Sequence, residues 1–281
     1  MRNKKVIVIT GPTASGKSAL AVELAREYGC DVISADSRQV YADIPIVTAQ
    51  PTLEETGGVS HHLMGHLPLD AYYSAALFEQ DALKLITRQF ESSDIAIVCG
   101  GSMLYIDALC NGIDELPTIP DDFRNALKKE HDEKGDEWLL ASLKLHDPDY
   151  YYRVDLKNIK RVFHALEISI YSGSPYSSLL TGKKIERPFE IEKRVIELPR
   201  QELFRRINSR VDRMVASGLI EEAERVYPRR GLNSLNTVGL KELFAWFEGK
   251  MKRDEAIERI KKNTRVFAKK QLTWLKKSCC N

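Results

Sequence analysis

The stretch that most limits what this chain can fold into is residues 6 to 18: Val6-Ile7-Val8-Ile9-Thr10, then at once Gly11-Pro12-Thr13-Ala14-Ser15-Gly16-Lys17-Ser18. Five β-branched residues favour a buried strand, and the Ala19-Leu20-Ala21-Val22-Glu23-Leu24-Ala25 run that follows favours a helix. Strand, G-x-x-x-x-G-K-[ST] loop and helix come in the order that a phosphate cradle requires. Glycines let the backbone curl so that successive N–H groups and the helix N-terminus face one anion. Lys17 adds a full charge, and the Ser18 hydroxyl offers a ligand to Mg²⁺. The loop does not say whose phosphate it holds, because ATPases, GTPases, kinases and other transferases share it.

A second short strand, Asp31-Val32-Ile33-Ser34-Ala35, ends at Asp36-Ser37-Arg38-Gln39. In an open parallel sheet ligands sit beyond the carboxyl ends of strands, so Asp36 is the leading carboxylate for the crevice that holds the glycine loop. Its other ordinary role is that of a turn former or helix cap. His61, His62 and His66 cluster in turn-rich chain without the H-E-x-x-H spacing or a neighbouring Cys or Asp group, which argues against a metal centre. The spacing predicts a helix over Tyr73 to Phe90, with Leu77, Leu83, Leu85 and Ile86 apolar, and a third strand over Asp94 to Cys99. That strand ends in Cys99-Gly100-Gly101-Ser102, where a nucleotide-hydrolysing enzyme carries an acid that helps hold Mg²⁺. The missing acid weakens an ATPase, and the missing N-K-x-D string argues against a switch GTPase.

Past residue 114 the texture changes. Leu116-Pro117-Thr118-Ile119-Pro120 reads as a linker, and residues 114 to about 192 as a charged helical insertion. Lys193 to Pro199 returns to a strand. It feeds a helix from Gln201 to about Ser217 with an apolar stripe at Leu203, Ile207 and Val211 and an arginine stripe at Arg206, Arg210 and Arg213. The last helix, roughly Asp254 to Lys276, is expected to bury Ile257, Ile260, Thr264, Phe267 and Gln271 or Trp274. The net charge of +2 hides an asymmetry: residues 1–113 carry 8 Lys/Arg against 13 Asp/Glu, and residues 114–281 carry 34 against 27. Residues 250–277 hold 11 basic residues and 3 acidic ones, the balance a polyanionic partner selects. Five cysteines without a C-x-x-C pair point to reduced thiols. Cys279-Cys280-Asn281 does not fit a prenylation signal and reads as a frayed tail. Charges at Arg2, Lys4 and Lys5 precede only a five-residue apolar run, so no signal peptide or membrane span is expected, and the cytoplasm is the expected compartment.

Taken together, several strings resemble the tRNA dimethylallyltransferase family, also called tRNA isopentenyl-diphosphate transferases. They are Gly11 to Ser18, Ile33 to Tyr41, Thr48 to Pro51, His61-His62-Leu63, Gly100 to Tyr105, Arg161 with Ala165-Leu166-Glu167, Val238-Gly239, and Lys270 to Trp274, in family order. The resemblance implies a P-loop NTPase-like α/β core, residues 1–113 plus 193–281, with the helical insertion 114–192 contacting tRNA. It implies transfer of a dimethylallyl group from dimethylallyl diphosphate to N6 of the adenosine 3′-adjacent to the anticodon, in tRNAs reading codons that begin with U. Asp36 is then the general base and Ser102, usually Thr in the family, orients substrate. Gly11, Pro12, Thr13, Ala14, Ser15, Gly16, Lys17 and Ser18 hold the diphosphate with Arg206 and Arg210, and Ser18 is the Mg²⁺ ligand.

By the same resemblance Asp36, Ser37, Arg38, Gln39, Ser102, Arg124, Lys160, Arg161, His164, Asn236 to Lys241, Lys269, Lys270 and Trp274 meet the tRNA anticodon stem-loop. His164 departs from a common Arg and Leu240 from a common aromatic. Neither the zinc-finger extension of some eukaryotic relatives nor an oligomer is expected; a monomer is. The rival readings are an ATP-dependent small-molecule kinase, also nucleotide-binding, and a non-catalytic RNA-binding protein whose loop only docks phosphate.

Overall fold

A computed structural model describes residues 4–278 of the chain; Arg2 and the Cys279-Cys280-Asn281 tail lie outside the described residues. In chain order the elements are β1 (Lys5–Thr10), α1 (Lys17–Tyr28), β2 (Val32–Ser34), α2 (Pro45–Thr48), α3 (Leu53–Thr56), β3 (His61–His62), α4 (Ala75–Gln89), β4 (Ile95–Gly100) and α5 (Met103–Asn111). There follow α6 (Asp121–His146), α7 (Pro148–Tyr151), α8 (Ile159–Ser172), α9 (Tyr176–Leu179), β5 (Glu190–Val195), α10 (Arg200–Ala216), α11 (Leu219–Val226), α12 (Leu240–Phe247) and α13 (Arg253–Ser278). They form two compact units, one made of Met1–Asn111 with Glu186–Asn281, the other of Gly112–Ile185.

The first unit is built on a parallel sheet of order β3-β2-β4-β1-β5. Val6 to Ile9 of β1 and Ala96 to Val98 of β4 are almost fully buried, as expected of strands covered on both faces. Thr10 stands opposite Gly100 and Ser34 opposite Cys99, so β1, β2 and β4 finish level with one another. The loops that leave these three ends therefore emerge side by side. Gly100 makes that junction tight: a Cβ there would meet the Ala35 carbonyl oxygen at 2.1 Å and the Ala35 Cβ at 2.7 Å. Gly100→Ala is predicted to cost about 1–3 kcal/mol, by overpacking, read as a lower urea midpoint at unchanged slope.

The edges of the sheet differ from expectation. β5 lies at Glu190–Val195, not at Lys193 to Pro199, because its register is set by β1: Lys5 stands opposite Glu190 and Thr10 opposite Val195. Lys5 Nζ lies 3.2 Å from Glu190 and 3.1 Å from Glu192, which also takes Arg194 at 2.7 Å. Such a charged edge discourages further strand pairing, and the apolar residues after it misled a reading that followed hydrophobicity alone. The core unit accordingly resumes at Glu186, ahead of the expected residue 193. At the other edge His61 and His62 form β3, a strand too short to read from sequence. His62 Nε2 lies 2.8 Å from Asp31 Oδ2 and His61 Nδ1 lies 3.0 Å from the Val59 carbonyl.

Two helices pack inward only partly as expected: Ile86 of α4 and Ile260 and Gln271 of α13 are buried, but their other expected positions are not fully so. α4 buries Ala75, Phe78, Glu79, Ala82, Ile86 and Gln89 instead of its leucines, and buried Glu79 forms an ion pair with Arg187. α13 buries Ala256, Ile260, Ala268, Gln271 and Leu275, whereas Phe267 is 41% exposed. Small Ala268 lets α13 approach Leu203 and Ile207 of α10 closely, a packing reason that outranks the bulk of Phe267. Leu240 is fully buried in the cluster that also holds Leu243, Phe244 and Leu219, so its departure from an aromatic is a matter of core packing.

The second unit is helical. Leu139 and Leu143 of α6 pack on Val162, Ala165 and Leu166 of α8, and Gly135, at φ 81°, breaks α6 into two segments. Buried Asp147 accepts the Tyr150 and Ser177 N–H groups and the Ser177 hydroxyl, tying α7 to α9. Among the described residues no helix is long and apolar enough to cross a membrane.

Candidate active site

Where β1 ends, the chain turns through the glycine loop. Gly16 sits at φ 97° and Ala14 at φ 63°, the latter a strained conformation for a residue with a Cβ. The Ser15 hydroxyl is buried without a hydrogen-bond partner, beside Gly11, as a donor reserved for a ligand oxygen would be. Lys17 Nζ donates to the Pro12 carbonyl at 2.7 Å. Burial pushes the Lys17 ammonium down to about 8, and the nearby Arg210 charge pushes the same way, against the pull of Asp36. Arg210 donates to Thr13 Oγ1 at 3.1 Å, and burial lowers its guanidinium too, again opposed by Asp36. Arg206 bonds Glu202 at 2.7 Å, and its Nη1 lies 3.8 Å from where a Cβ on Gly16 would stand. Lys17 and Arg210 are both half-buried at this loop, and such a pair of cations is costly unless an anion joins them.

At the end of β2, Asp36 Oδ1 accepts the N–H groups of Arg38 at 2.9 Å and Gln39 at 3.3 Å. Asp36 is thus a turn former, the bland role its type allows, yet the turn uses only one carboxylate oxygen. The end of β2 is level with that of β1, which puts Asp36 beside the loop that carries Lys17, and its charge favours the charged forms of Lys17 and Arg210. At the end of β4 the Cys99 thiol is held neutral, burial pushing it up to about 11. Neutral sulfur therefore occupies the strand end that carries an acid in nucleotide hydrolases. Ser102 closes the arrangement: its Oγ accepts the Ser37 N–H at 2.8 Å and donates to Ser37 Oγ at 3.2 Å.

The remaining residues singled out from the sequence divide into four sets. Gln39 is spent on the fold: Oε1 accepts from Ser34 Oγ and Nε2 donates to the Thr48 and Ala49 carbonyls. Arg38 reaches the Asn233 and Ser234 carbonyls, and Lys241 is exposed on α12. On α13, Lys269 and Lys270 are exposed, with Lys269 Nζ 5.7 Å from the Phe204 ring, while Trp274 Nε1 donates to Asp107 at 2.9 Å. Within the helical unit Lys160, Arg161 and His164 are exposed on α8, and Arg124 on α6 and His164 both pair with Glu167 at 2.9 Å. Burial raises the Glu167 carboxyl, but hydrogen bonds with His164 and Arg124 outweigh it and hold it below the ordinary value.

Sequence reasoning missed two residues of this site. Gln271 figured as a core position of α13 and within the Lys270 to Trp274 string, with no role at the glycine loop that its side chain reaches; Asp107, the acceptor for Trp274, was not considered at all. A buried amide on an otherwise apolar helix face was the available signal for the first.

A pH dependence follows from Lys17. Its folded-state value is depressed, so the cost of its buried charge is present below about 8 and disappears as pH rises toward the ordinary 10.5. An anion needs the charged form. Affinity for inorganic diphosphate is therefore expected to fall as pH rises through about 8, measured by calorimetric titration.

Fold and site together define a P-loop NTPase-like α/β protein: a glycine loop with Lys17 and Arg210, beside the Asp36 turn, on a parallel sheet. A family model described as IPP transferase matches residues 39–278, a span that begins after the glycine loop and so is independent of it. The chain is 48% identical to tRNA dimethylallyltransferase 2 of Azobacteroides pseudotrichonymphae over 98% of its own length and 89% of the relative. It is 44% identical to the tRNA dimethylallyltransferase of Cytophaga hutchinsonii over 98% and 90%. A tRNA delta(2)-isopentenylpyrophosphate transferase structure from Staphylococcus epidermidis matches with TM-score 0.68 and 33% identity, covering 97% of this chain and 90% of that one. A eukaryotic dimethylallyltransferase acting on tRNA matches with TM-score 0.81 and 30% identity, covering 97% and 70%. The chain belongs to the IPP transferase family, the tRNA dimethylallyltransferases.

Proposed function

We propose that the chain transfers the dimethylallyl group of dimethylallyl diphosphate to N6 of the adenosine 3′-adjacent to the anticodon, in tRNAs reading codons that begin with U. The single observation that carries this reading is the crevice itself: the ends of β1, β2 and β4 are level, so the loop with Lys17 and Arg210's partner Thr13 emerges beside Asp36, and the end of β4 carries Cys99 in place of an acid. N6 attacks the allylic carbon, the C–O bond breaks, and its electron pair leaves with diphosphate. Lys17, Arg206 and Arg210 stabilise the charge that grows on the leaving group, and the Gly11 to Ser18 backbone cradles it. The N6 proton passes to Asp36, whose Oδ2 is not used by the Asx turn. Adenine N6 is a poor nucleophile because its lone pair is delocalised, so proton removal as the new bond forms matters. Ser102, tied to Ser37, keeps the acceptor loop in place.

Among the described residues no three His, Cys, Asp or Glu side chains are grouped to hold a metal ion. The exposed Ser18 hydroxyl at the start of α1 suits Mg²⁺ that arrives with the diphosphate and keeps most of its water, and such an ion supplies charge neutralisation. Arg38, Arg124, Lys160, Arg161, His164, Lys241, Lys269, Lys270 and Trp274 are the residues assigned to the anticodon stem-loop, whose target base must leave its stack to react. The protein acts as a cytoplasmic monomer in this reading.

The experiment is nucleoside mass spectrometry of bulk tRNA from cells with and without the gene. N6-dimethylallyl adenosine, or a derivative of it, is expected only where the gene is present. Identical nucleosides in both would overturn the reading, as would ATP turnover by the purified protein without RNA, which the kinase alternative requires.

A further inference from the structure

Gln271 is 3% exposed, on a helix whose other face carries Lys269 and Lys270. Its Oε1 accepts the Thr13 N–H at 2.9 Å, and its Nε2 donates to the Gly101 carbonyl at 2.9 Å. Thr13 lies in the loop after β1 and Gly101 in the loop after β4, so one amide spans two of the three strand ends that form the crevice. The fit is close. A Cβ on Gly101 would meet Gln271 Nε2 at 2.5 Å, which gives that glycine a packing reason of its own. On the cradle side, Thr13 is gripped a second time, through its hydroxyl by Arg210. On the other side the chain runs from Gly101 directly into Ser102, which holds Ser37 next to Asp36. Hydrogen bonds thus join Arg210, Thr13, Gln271 and Gly101, the peptide bond carries the line on to Ser102, and hydrogen bonds resume from Ser102 to Ser37.

We infer that Gln271 is a positioning residue that fixes the distance between the diphosphate cradle and the loop carrying Asp36 and Ser102. This inference rests on the proposed reaction, in which the leaving group is held on one side of the allylic carbon and the nucleophile is deprotonated on the other. An in-line displacement tolerates little error in that separation, and a misplacement of about 1 Å can cost ~100-fold in rate. Only a side chain with an acceptor and a donor, at the length of glutamine, can serve both loops at once. Its place one turn from Trp274, itself bonded to Asp107, anchors the clamp to α5 as well.

The test compares Gln271→Met, which keeps the length and loses both bonds, with Gln271→Glu, which keeps the acceptor for Thr13. For Gln271→Met, kcat is expected to fall about 10- to 100-fold, by misplacement. Stem-loop affinity should stay within about twofold, since Gln271 carries no charge toward phosphates. Inorganic diphosphate should bind several-fold more weakly, because Thr13 is no longer held. For Gln271→Glu, the rate relative to wild type should recover as pH is lowered from 8 to 6. A protonated carboxyl restores the donor to Gly101, and burial favours that protonation. Combining Gln271→Met with Ser102→Ala should give less than the product of the two losses, because both act along one line.

A Gln271→Met enzyme with wild-type kcat and diphosphate affinity would overturn the inference, as would a loss fully explained by weaker stem-loop binding, or a Gln271→Glu enzyme whose relative rate ignores pH. If wild type makes no alkylated adenosine, the proposed reaction fails instead, and the diphosphate titration still decides whether Gln271 shapes the cradle.

Discussion

Asp36→Asn is expected to fold as wild type does and to lose transfer activity by about 10²- to 10⁴-fold in kcat, the range ordinarily supplied by a general base. The substitution separates the two jobs of this side chain. An asparagine Oδ1 still accepts the N–H groups of Arg38 and Gln39, so the turn after β2 survives. What is lost is the ability to take a proton. Asp36→Ala removes the turn as well, and should add a loss of stability that Asp36→Asn does not show. Chemical denaturation of both variants beside single-turnover rates on a stem-loop checks this. If Asp36→Asn retains wild-type kcat, the carboxylate is a turn former and nothing more.

Lys17→Met is expected to reduce transfer about 10²- to 10³-fold, the loss typical of removing one group that stabilises developing negative charge. Its effect on stability should have the opposite sign. Burial, and with it the Arg210 charge, makes the site hostile to the Lys17 ammonium and pushes it down to about 8. Removing a charge that its surroundings disfavour relieves the free protein, so Lys17→Met should melt at or above the wild-type temperature below pH 8. Inorganic diphosphate should raise the wild-type melting temperature and do much less for the variant. A variant that is both destabilised and fully active would contradict this account of the cradle.

The parts of this molecule legible in its sequence are those fixed by local physics. Five β-branched residues running into a glycine loop and then an alanine-leucine helix allow one arrangement, and β1, the loop and α1 follow it. Asp36 was found by the same logic, since a residue just past a parallel strand must lie at the sheet's carboxyl edge. The arginine stripe of α10 was visible because its period is that of a helix, and two of its members, Arg206 and Arg210, border the glycine loop.

What sequence did not disclose depends on partners distant along the chain. β5 sits where β1 aligns it, through Lys5 and the two glutamates, and not where its apolar residues cluster. The inward face of α13 is set by the close approach of α10 at Ala268, so Phe267 was misplaced and Gln271 undervalued. No pattern within α13 announces that its buried amide meets Thr13 and Gly101, hundreds of positions earlier in one case and fewer in the other. Such contacts exist only once the sheet has brought three strand ends level.

The central claim is that one crevice holds a prenyl donor's departing diphosphate beside a carboxylate that deprotonates an adenine amine. Its most direct test is the stoichiometry of a single turnover with purified protein, dimethylallyl diphosphate, Mg²⁺ and an anticodon stem-loop. The account predicts one diphosphate released for each adenosine alkylated at N6, with the alkylated position next to the anticodon on its 3′ side. Diphosphate released without alkylated adenosine, or alkylation that persists unchanged in Asp36→Asn, would contradict it.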